Sequence, residues 1–288
     1  MPIYVSTSCL VNGNNVFDVL ETYARAGLRR VELGSRHKYV AGLLPSNFLR
    51  YDFDFLVHHY FPPPEKPIIV NLASQNPAVL EQSRAHIKRS IEFCHRLGIK
   101  LFTFHAGFRL DPDNKLQFPV GQPFTPYDVA FATFVESIDE IDFYSKQRGI
   151  RIAVENNVVS RHNLVSGRDQ FLLLCKAEEF ERLWHRTPTT NAGVLLDLGH
   201  LKVTSHWLQF DRYEFINKVK DRVFVIHLHE NNGQVDEHRE LDETSWCLEV
   251  IREKCFAGLP IVLESFELDI EQVVHQVSLI ERILAPAK

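Results

Sequence analysis

The sequence predicts a single (β/α)8 barrel domain spanning residues 1–288, and three observations support this prediction. Eight apolar runs recur along the chain, with enough residues between them for a helix. Most of these runs are continuously apolar, as parallel strands covered by helices are. The segment after the first run, STSCLVNGNN, lacks the GxGxxG turn that a doubly wound nucleotide-binding sheet usually places there. A doubly wound sheet is therefore the second choice.

The eight predicted strands are followed by segments with helix signals. The strands are predicted at 3–9, 29–35, 53–59, 100–107, 150–157, 192–200, 223–230 and 260–266. Asn76 and Pro77 offer an N-cap and a first-turn proline, and Gly98 is a stop signal for the same helix. Further helices are predicted at 15–27, 125–149, 170–185, 208–220, 242–255 and 269–285. Irregular loops are expected at 36–52 (with a short helix), 107–126 and 157–169.

Composition excludes several classes of protein. The chain is 45% hydrophobic with a net charge of −5, which suits a large core and gives no overall attraction to nucleic acid or anionic lipid. It has no apolar run of membrane-spanning length, and the start MPIYVSTSCL lacks the pattern of a signal peptide. The five cysteines are widely spaced without a CxxC pair. These features predict reduced thiols in a cytoplasmic protein with no membrane partner.

Metal-type ligands stand at or just after the ends of six successive predicted strands. They are His58, His105, Glu155, Asp197, His200, His227, Asp236, His238 and Glu264. The carboxyl ends of all strands in a parallel barrel open on one face, so these side chains should converge. A single buried histidine or carboxylate is usually a hydrogen-bonded structural group, but repetition at the same end of six strands indicates a shared metal site. Imidazole with carboxylate suits Zn²⁺, Mn²⁺, Fe²⁺ or Co²⁺.

Other polar residues near these strands receive separate predictions. His59 and His229 are expected to face away from the pocket, and His86 is expected at the surface of a helix. Three cations near the predicted mouth could bind a phosphate or an anionic sugar substituent, with ordinary surface charge as the alternative. They are Arg109, Arg161 and Lys202.

Five motifs resemble the xylose isomerase-like barrel superfamily. They are FHAG (104–107), VEN (154–156), LDLGH (196–200), HLHENNGQVDEH (227–238) and VLE (262–264). This group joins sugar isomerases and epimerases to the endonuclease IV type of apurinic-site nuclease, AP endonuclease family 2. The resemblance implies a TIM barrel that binds one to three divalent ions, zinc or manganese. A homo-oligomer is compatible with it.

The two branches imply different chemistry. The isomerase branch implies one metal on Glu155, Asp197, His227 and Glu264. Glu155 and Glu264 would then move the proton of a sugar or sugar phosphate through a metal-chelated enediolate, while His200 orients the substrate or holds a second metal. The nuclease branch implies three zinc ions on all nine positions, cleaving DNA at abasic sites. HLHENN stands where the nucleases carry HLND, which favours the isomerase branch. A non-catalytic barrel with a degenerate metal site is a third alternative.

Overall fold

A closed barrel of eight parallel strands forms the centre of the molecule in the computed structural model, which describes residues 1–10, 15–113, 118–119 and 122–285. The strands are β1 (Ile3–Ser6), β2 (Arg30–Leu33), β3 (Asp54–His58), β4 (Leu101–His105), β5 (Arg151–Glu155), β6 (Leu164–Val165), β7 (Arg168–Asp169), β8 (Ala192–Asp197), β9 (Val223–Leu228) and β10 (Ile261–Leu263). β6 and β7 form a hairpin outside the barrel. The ring closes because β1 pairs with both β2 and β10. The predicted barrel is confirmed, and the doubly wound sheet is excluded.

Helices cover the outside of the barrel. They are α1 (Val16–Arg25), α2 (Pro77–Leu97), α3 (Tyr127–Lys146), α4 (Ala177–Arg186), α5 (Leu198–Leu208), α6 (Arg212–Val219), α7 (Trp246–Val250) and α8 (Ile270–Leu284). The predicted signals of α2 are present, because the Asn76 side chain accepts a hydrogen bond from the Ala78 amide at 3.0 Å and Gly98 ends the helix at φ 73°. A short 3-10 helix, Pro45–Asn47, lies in the loop predicted at 36–52.

The strand predicted at 192–200 is too long. β8 ends at Asp197, whose carboxylate accepts a hydrogen bond from the His200 amide at 2.7 Å and so caps α5. α5 was missed because its first residues, LGHL, continue the apolar run of the strand. The helix predicted at 208–220 is α6 alone. As a result His200 lies in the first turn of a helix, beside the strand ends.

The region between β5 and α4 also differs from the prediction. The loop predicted at 157–169 contains the β6–β7 hairpin, and α4 begins at Ala177 instead of residue 170. Leu172 bridges to Phe108, and Leu174 adopts φ 58°, which a helix does not allow. Phe108 and Leu172 line the cavity at the mouth of the barrel, whereas Leu174 is buried in the hydrophobic core. The loop predicted at 107–126 includes residues 114–117 and 120–121, which lie outside the described residues.

The main core lies between the barrel and its helices. His86, predicted at the surface, is instead fully buried there, because α2 turns Ser83, His86 and Ser90 toward the barrel. Four cysteines are buried and free, and Cys255 is exposed and free. Among the described residues, no helix combines the length and apolar character that crossing a membrane requires.

Candidate metal centre

An apolar layer fills the inside of the barrel on the amino-end side. Seven buried hydrophobic side chains, one from each of seven strands, pack against one another there. They are Tyr4, Leu56, Leu101, Ala153, Leu195, Val225 and Val262. We call these residues the apolar floor. Because side chains two positions apart on a strand point to the same face, the next inward position on each strand is two residues further on.

Those next positions carry polar side chains on all seven strands. They are Ser6, His58, Thr103, Glu155, Asp197, His227 and Glu264. All are buried. We call these residues the ligand layer. Four of them, on the adjacent strands β5, β8, β9 and β10, are the ligands that the sequence resemblance implies for a single metal.

Glu155 is the centre of a first group of ligand atoms. One carboxylate oxygen lies 2.8 Å from His105 Nδ1 and 3.6 Å from His58 Nε2. The other oxygen lies 3.2 Å from His200 Nδ1. The opposite nitrogen of His58, Nδ1, lies 2.9 Å from Thr103 Oγ1, which fixes the plane of that ring. His58 therefore presents Nε2 to the inside of the barrel.

Asp197, His227 and Glu264 form a second group on neighbouring strands. His227 Nδ1 lies 3.1 Å from a Glu264 oxygen and 3.9 Å from Asp197 Oδ2. Its other nitrogen, Nε2, lies 3.0 Å from the carboxylate of Glu32, a fully buried residue of β2. A carboxylate on the far nitrogen of a ligand histidine orients the ring and raises its basicity. Glu32 is placed to do this for His227.

The loop after β9 brings a third group over the barrel. Asp236 Oδ2 lies 3.1 Å from His238 Nε2 and 3.3 Å from His200 Nε2. Each of these histidines has its Nδ1 near a backbone carbonyl, Glu264 for His238 and Asn156 for His200, at 2.9 and 3.0 Å. When Nδ1–H donates to such a carbonyl, Nε2 carries the free lone pair. Both rings are therefore set to offer Nε2 as a ligand.

Carboxylates and imidazoles in this centre shift the pKa values of one another. Burial alone would raise the pKa of Asp197, but the imidazoles of His200 and His229 outweigh it and lower the pKa below its usual value. Burial opposes the charged form of His200, yet Asp197 and Asp236 raise its pKa well above the ordinary value. His58 differs, because burial, followed by the nearby His105, lowers its pKa well below 6.5. A bound cation would take over the charge compensation that protons supply here.

The residues present fit a divalent cation. Several buried ligand atoms make no well-aligned hydrogen bond among the described residues, although some lie 2.8–3.2 Å from a histidine or carboxylate of the same centre. They are both carboxylate oxygens of Glu155, Asp197 Oδ2, Asp236 Oδ1, Glu32 Oε1 and both ring nitrogens of His229. Buried polar atoms are normally satisfied, so a cluster of unsatisfied donors and acceptors marks a place where a ligand is expected. Oxygen and imidazole donors together suit Zn²⁺ or Mn²⁺.

The structure brings all nine sequence-predicted ligand residues into overlapping groups at the carboxyl ends of the strands. Two further members were missed, Glu32 and His229. His229 was wrongly expected to face away: it stands two residues after His227 and so shares its inward side. The same expectation for His59 was also wrong. β3 ends at His58, and the turn at Tyr60 (φ 65°) brings His59 into the lining of the cavity.

The three predicted substrate-binding cations lie outside the lining of the cavity above the ligand layer. Lys202 forms an ion pair with Glu230 and donates to the Asn231 carbonyl at 2.7 Å. Arg109 donates from Nε to the Thr125 carbonyl at 3.0 Å. Arg161 is exposed in a 3-10 helix beside the mouth. The structure thus shows other partners for two of them.

The cavity has a volume of about 430 Å³. Its inner wall contains ligand residues, including His105, Glu155 and Glu264. Its outer wall is largely aromatic and aliphatic, formed by Tyr60, Phe108, Phe118, Leu172, Val235 and Phe266. Concave sites with an apolar wall and a few convergent polar groups are typical small-molecule sites.

Fold and centre together define a TIM barrel whose carboxyl-end face is lined with metal-type ligands. A family model described as xylose isomerase-like TIM barrel matches residues 24–282. The chain belongs to that family, as its sequence motifs predicted.

Solved structures similar to this chain include proteins whose names describe sugar epimerases or epimerase-like proteins. A D-tagatose 3-epimerase-like protein superposes with a TM-score of 0.77 at 20% identity, covering 99% of this chain and 97% of its own. A D-psicose 3-epimerase, crystallised in the presence of D-fructose, superposes with a TM-score of 0.71 at 16% identity, covering 99% of each chain. Likeness at these identities shows the shared fold.

The curated relatives found by sequence match this chain over only part of its length. The uncharacterized protein MJ1614 of Methanocaldococcus jannaschii is 23% identical over 175 residues, which cover 59% of this chain and 55% of the relative. This chain thus spans just over half the length of such relatives.

Proposed function

We propose that the protein is a divalent-metal-dependent isomerase or epimerase acting on a sugar. The observation that carries this proposal is that Glu155, Asp197, His227 and Glu264 stand at the carboxyl ends of four adjacent strands, where the two ligand groups Glu155–Asp197–His200 and Asp197–His227–Glu264 share Asp197. All four are buried, and the carboxylates of Glu155 and Asp197 have oxygens without a hydrogen-bond partner among the described residues. The epimerase names of the structural neighbours support it.

Three carboxylates and one imidazole would hold the ion. This set is rich in oxygen donors, which favours Mn²⁺ while remaining suitable for Zn²⁺. A bound cation would polarise a carbonyl of the substrate and acidify the adjacent C–H. The far nitrogen of His227 faces Glu32 at 3.0 Å, so the ring keeps its orientation.

Glu155 and Glu264 are the proton-transfer residues of the proposal. They stand on β5 and β10 and flank Asp197 and His227 in the barrel order. One carboxylate would take the proton from carbon and the other would return one, through an enediolate of the substrate. His200 lies 3.2 Å from Glu155 and would orient a hydroxyl group or share the proton.

The cavity wall favours an unphosphorylated sugar over a sugar phosphate. Among its described residues, no lysine or arginine lines the cavity. Phe108 and Phe118 offer apolar surface to a sugar, and His162 and Asn157 offer hydrogen bonds. Of the cations that the sequence predicted for a phosphate, Arg109, Arg161 and Lys202, none lines the cavity, and Arg109 and Lys202 contact other partners.

Hydrogen exchange tests the proposal directly. The purified protein with Mn²⁺ is incubated in heavy water with a panel of ketoses and aldoses, and deuterium at carbon is measured by NMR. We expect exchange into at least one sugar and a loss of about 10²- to 10⁴-fold in Glu264→Gln. Glu267→Gln, the same change at an exposed site, should behave as wild type. A metal-loaded protein that exchanges no sugar would contradict the proposal.

One observation favours a second candidate, a metal-dependent phosphodiesterase acting at abasic sites in DNA. His58 and His105 gather around Glu155 in addition to the four proposed ligands, and a third group lies at Asp236. Three groups of metal-type ligands suit phosphoryl transfer, in which bound ions would stabilise both the attacking and the leaving oxygen. Cleavage of an abasic-site duplex, lost in His105→Ala, would replace the epimerase proposal. If the protein neither exchanges hydrogen into a sugar nor cleaves the abasic-site duplex, the non-catalytic barrel is the alternative that stands.

A further inference from the structure

His59 is a buried polar residue of the cavity wall to which the proposed reaction gives no role. It is 1% exposed and lines the same cavity as Glu155 and Glu264. Its Nδ1 makes no hydrogen bond within the described part of the chain. His59 also belongs to none of the groups of metal-type ligands found there. A buried imidazole nitrogen without a partner is unfavourable, so this side chain is suited to a molecule that binds in the cavity.

A strained turn brings His59 into this wall. β3 ends at His58, and Tyr60 adopts φ 65°, which is unfavourable for a residue that has a side chain. The turn is held by the Phe61 amide, which donates to the His58 carbonyl at 3.2 Å, and by the Tyr60 hydroxyl, which accepts from the Val70 amide at 3.0 Å. Strained backbone is concentrated at functional sites. Here it sets the rings of His59 and Tyr60 side by side in the cavity wall, with centroids 4.0 Å apart.

His59 lies beside the proposed reaction centre but outside it. Its ring meets the ring of His105 edge-on, with centroids 4.7 Å apart. His105 Nδ1 in turn lies 2.8 Å from the carboxylate of Glu155, one of the two proposed proton-transfer residues. A sugar whose reacting carbons lie at Glu155 would therefore meet His59 with carbons further along its chain.

The surroundings of His59 indicate what those carbons carry. A neutral imidazole offers one N–H donor and one acceptor nitrogen, and a hydroxyl group can pair with either. A charged substituent would find no opposite charge, because no lysine or arginine lines the described part of the cavity. A hydroxyl group is thus the substituent that this wall accommodates best.

We propose that His59 is a specificity-determining residue that hydrogen-bonds a hydroxyl group of the substrate beyond the reacting carbons. The substrate class is then an uncharged sugar with a free hydroxyl group on that part of its chain. A deoxy sugar without this group would leave the buried imidazole unpaired, and sites built around such a hydrogen bond reject the analogue that lacks it. The inference rests on the proposed function for the orientation of the sugar.

Binding of D-fructose and of its 4-, 5- and 6-deoxy analogues tests the inference without turnover. Dissociation constants for the zinc-loaded full chain are measured by calorimetry. Wild type should bind D-fructose about 10- to 100-fold more tightly than one of the analogues. His59→Phe keeps an aromatic ring without polar nitrogens. It should bind D-fructose as weakly as that analogue, whose own affinity should stay within about threefold of wild type. A purely structural role of His59 would weaken both sugars equally.

The matched control is His86→Phe. His86 is equally buried, and both of its ring nitrogens lack a hydrogen-bond partner among the described residues. It does not belong to the cavity lining, so this variant should keep the preference for D-fructose over the analogue.

NMR of wild type gives a readout that requires no variant to fold. The ¹⁵N resonances of the His59 imidazole should shift when D-fructose is added and stay in place with the weakly bound analogue at the same concentration. Equal binding of all four sugars, binding of none, or an unchanged preference in His59→Phe would overturn the inference. Hydroxyl-dependent binding without deuterium exchange into any sugar would count against the proposed function alone.

Discussion

The apolar floor and the ligand layer come from the same strands, two residues apart, and have opposite chemistry. Floor residues bury hydrocarbon against hydrocarbon, which stabilises the barrel. Layer residues bury carboxylates and imidazoles, several without hydrogen-bond partners among the described residues, which costs free energy in the absence of a cation. The difference shows that stability and chemistry are divided between successive inward positions of seven strands. Each can therefore be changed separately.

The largest effect is expected in the floor. Leu195→Ala removes a fully buried side chain and should lower the free energy of unfolding by about 2–5 kcal/mol. Urea denaturation of the metal-free protein measures it. Cation affinity of the folded variant should stay within about threefold of wild type, because Asp197 and its neighbours are retained. A large loss of cation affinity at urea concentrations where the variant is still folded would show that the apolar floor and the ligand layer cannot be changed independently.

His86 sharpens the comparison, since it is a buried histidine without the carboxylates of the ligand layer. Burial, together with nearby Arg89, lowers its pKa from 6.5 to about 4. Between these values the unfolded chain binds a proton that the folded chain does not, so stability falls as the pH falls. The loss should total about 3 kcal/mol by pH 4.

Comparison with His86→Gln isolates this contribution. The free energy of unfolding is measured by urea denaturation at intervals between pH 7 and pH 4. The difference between wild type and variant should change steadily across this window, with wild type losing more. Parallel curves would show that His86 is protonated equally in both states.

Within the ligand layer, Asp197→Asn tests the role of Asp197 as a metal ligand separately from its role as the N-cap of α5. Asparagine caps helices as well as aspartate does, so α5 should still begin at Leu198. The negative charge is lost, and cation binding should weaken by about 100-fold or more, since even supporting residues contribute 10- to 100-fold. Dye competition measures the affinity, and circular dichroism checks the helix content. Wild-type affinity in this variant would remove Asp197 from the ligand set.

The smallest effect is expected at a neutral member of the layer. Thr103→Val removes the hydroxyl 2.9 Å from His58 Nδ1 while keeping the shape of the side chain. We expect a loss of about 1 kcal/mol in unfolding free energy. If His58, His105 and Glu155 hold an ion, as the nuclease candidate requires, its binding should weaken, while binding at Asp197 is unaffected. Zinc titration measures the ion affinity of Thr103→Val and of Thr103→Ser, which keeps the hydroxyl and serves as the control.

Much of the fold was predictable because each strand is a separate apolar run with a polar end. Parallel strands place those ends on one face, so the convergence of nine ligand-type side chains could be predicted from the order of the strands. The start of α5 could not, because LGHL is as apolar as the strand before it, and only the cap by Asp197 ends β8. Nor could the burial of His86 be predicted, since a histidine among serines resembles a surface position.

The missed members of the centre have different causes. His229 had a usable signal, its spacing of two from His227, whereas Glu32 lies on a strand whose end carries no histidine. Its role depends on the barrel closing, which brings β2 within reach of His227 across the interior. Contacts across a closed ring join residues 195 positions apart in this case. Local sequence pattern carries no information about such distances.

The two-residue spacing also limits how such a barrel can evolve. Seven of the eight barrel strands supply an inward pair, a floor residue followed by a ligand-layer residue, such as Ala153 and Glu155. Exchanging the second member changes the reactive group at one point of the ring and leaves the other pairs in place. Inserting or deleting one residue within a strand would instead turn that strand's inward pair outward. Descendants of this architecture can therefore acquire new reactions by substitution at strand ends, while strand lengths remain fixed.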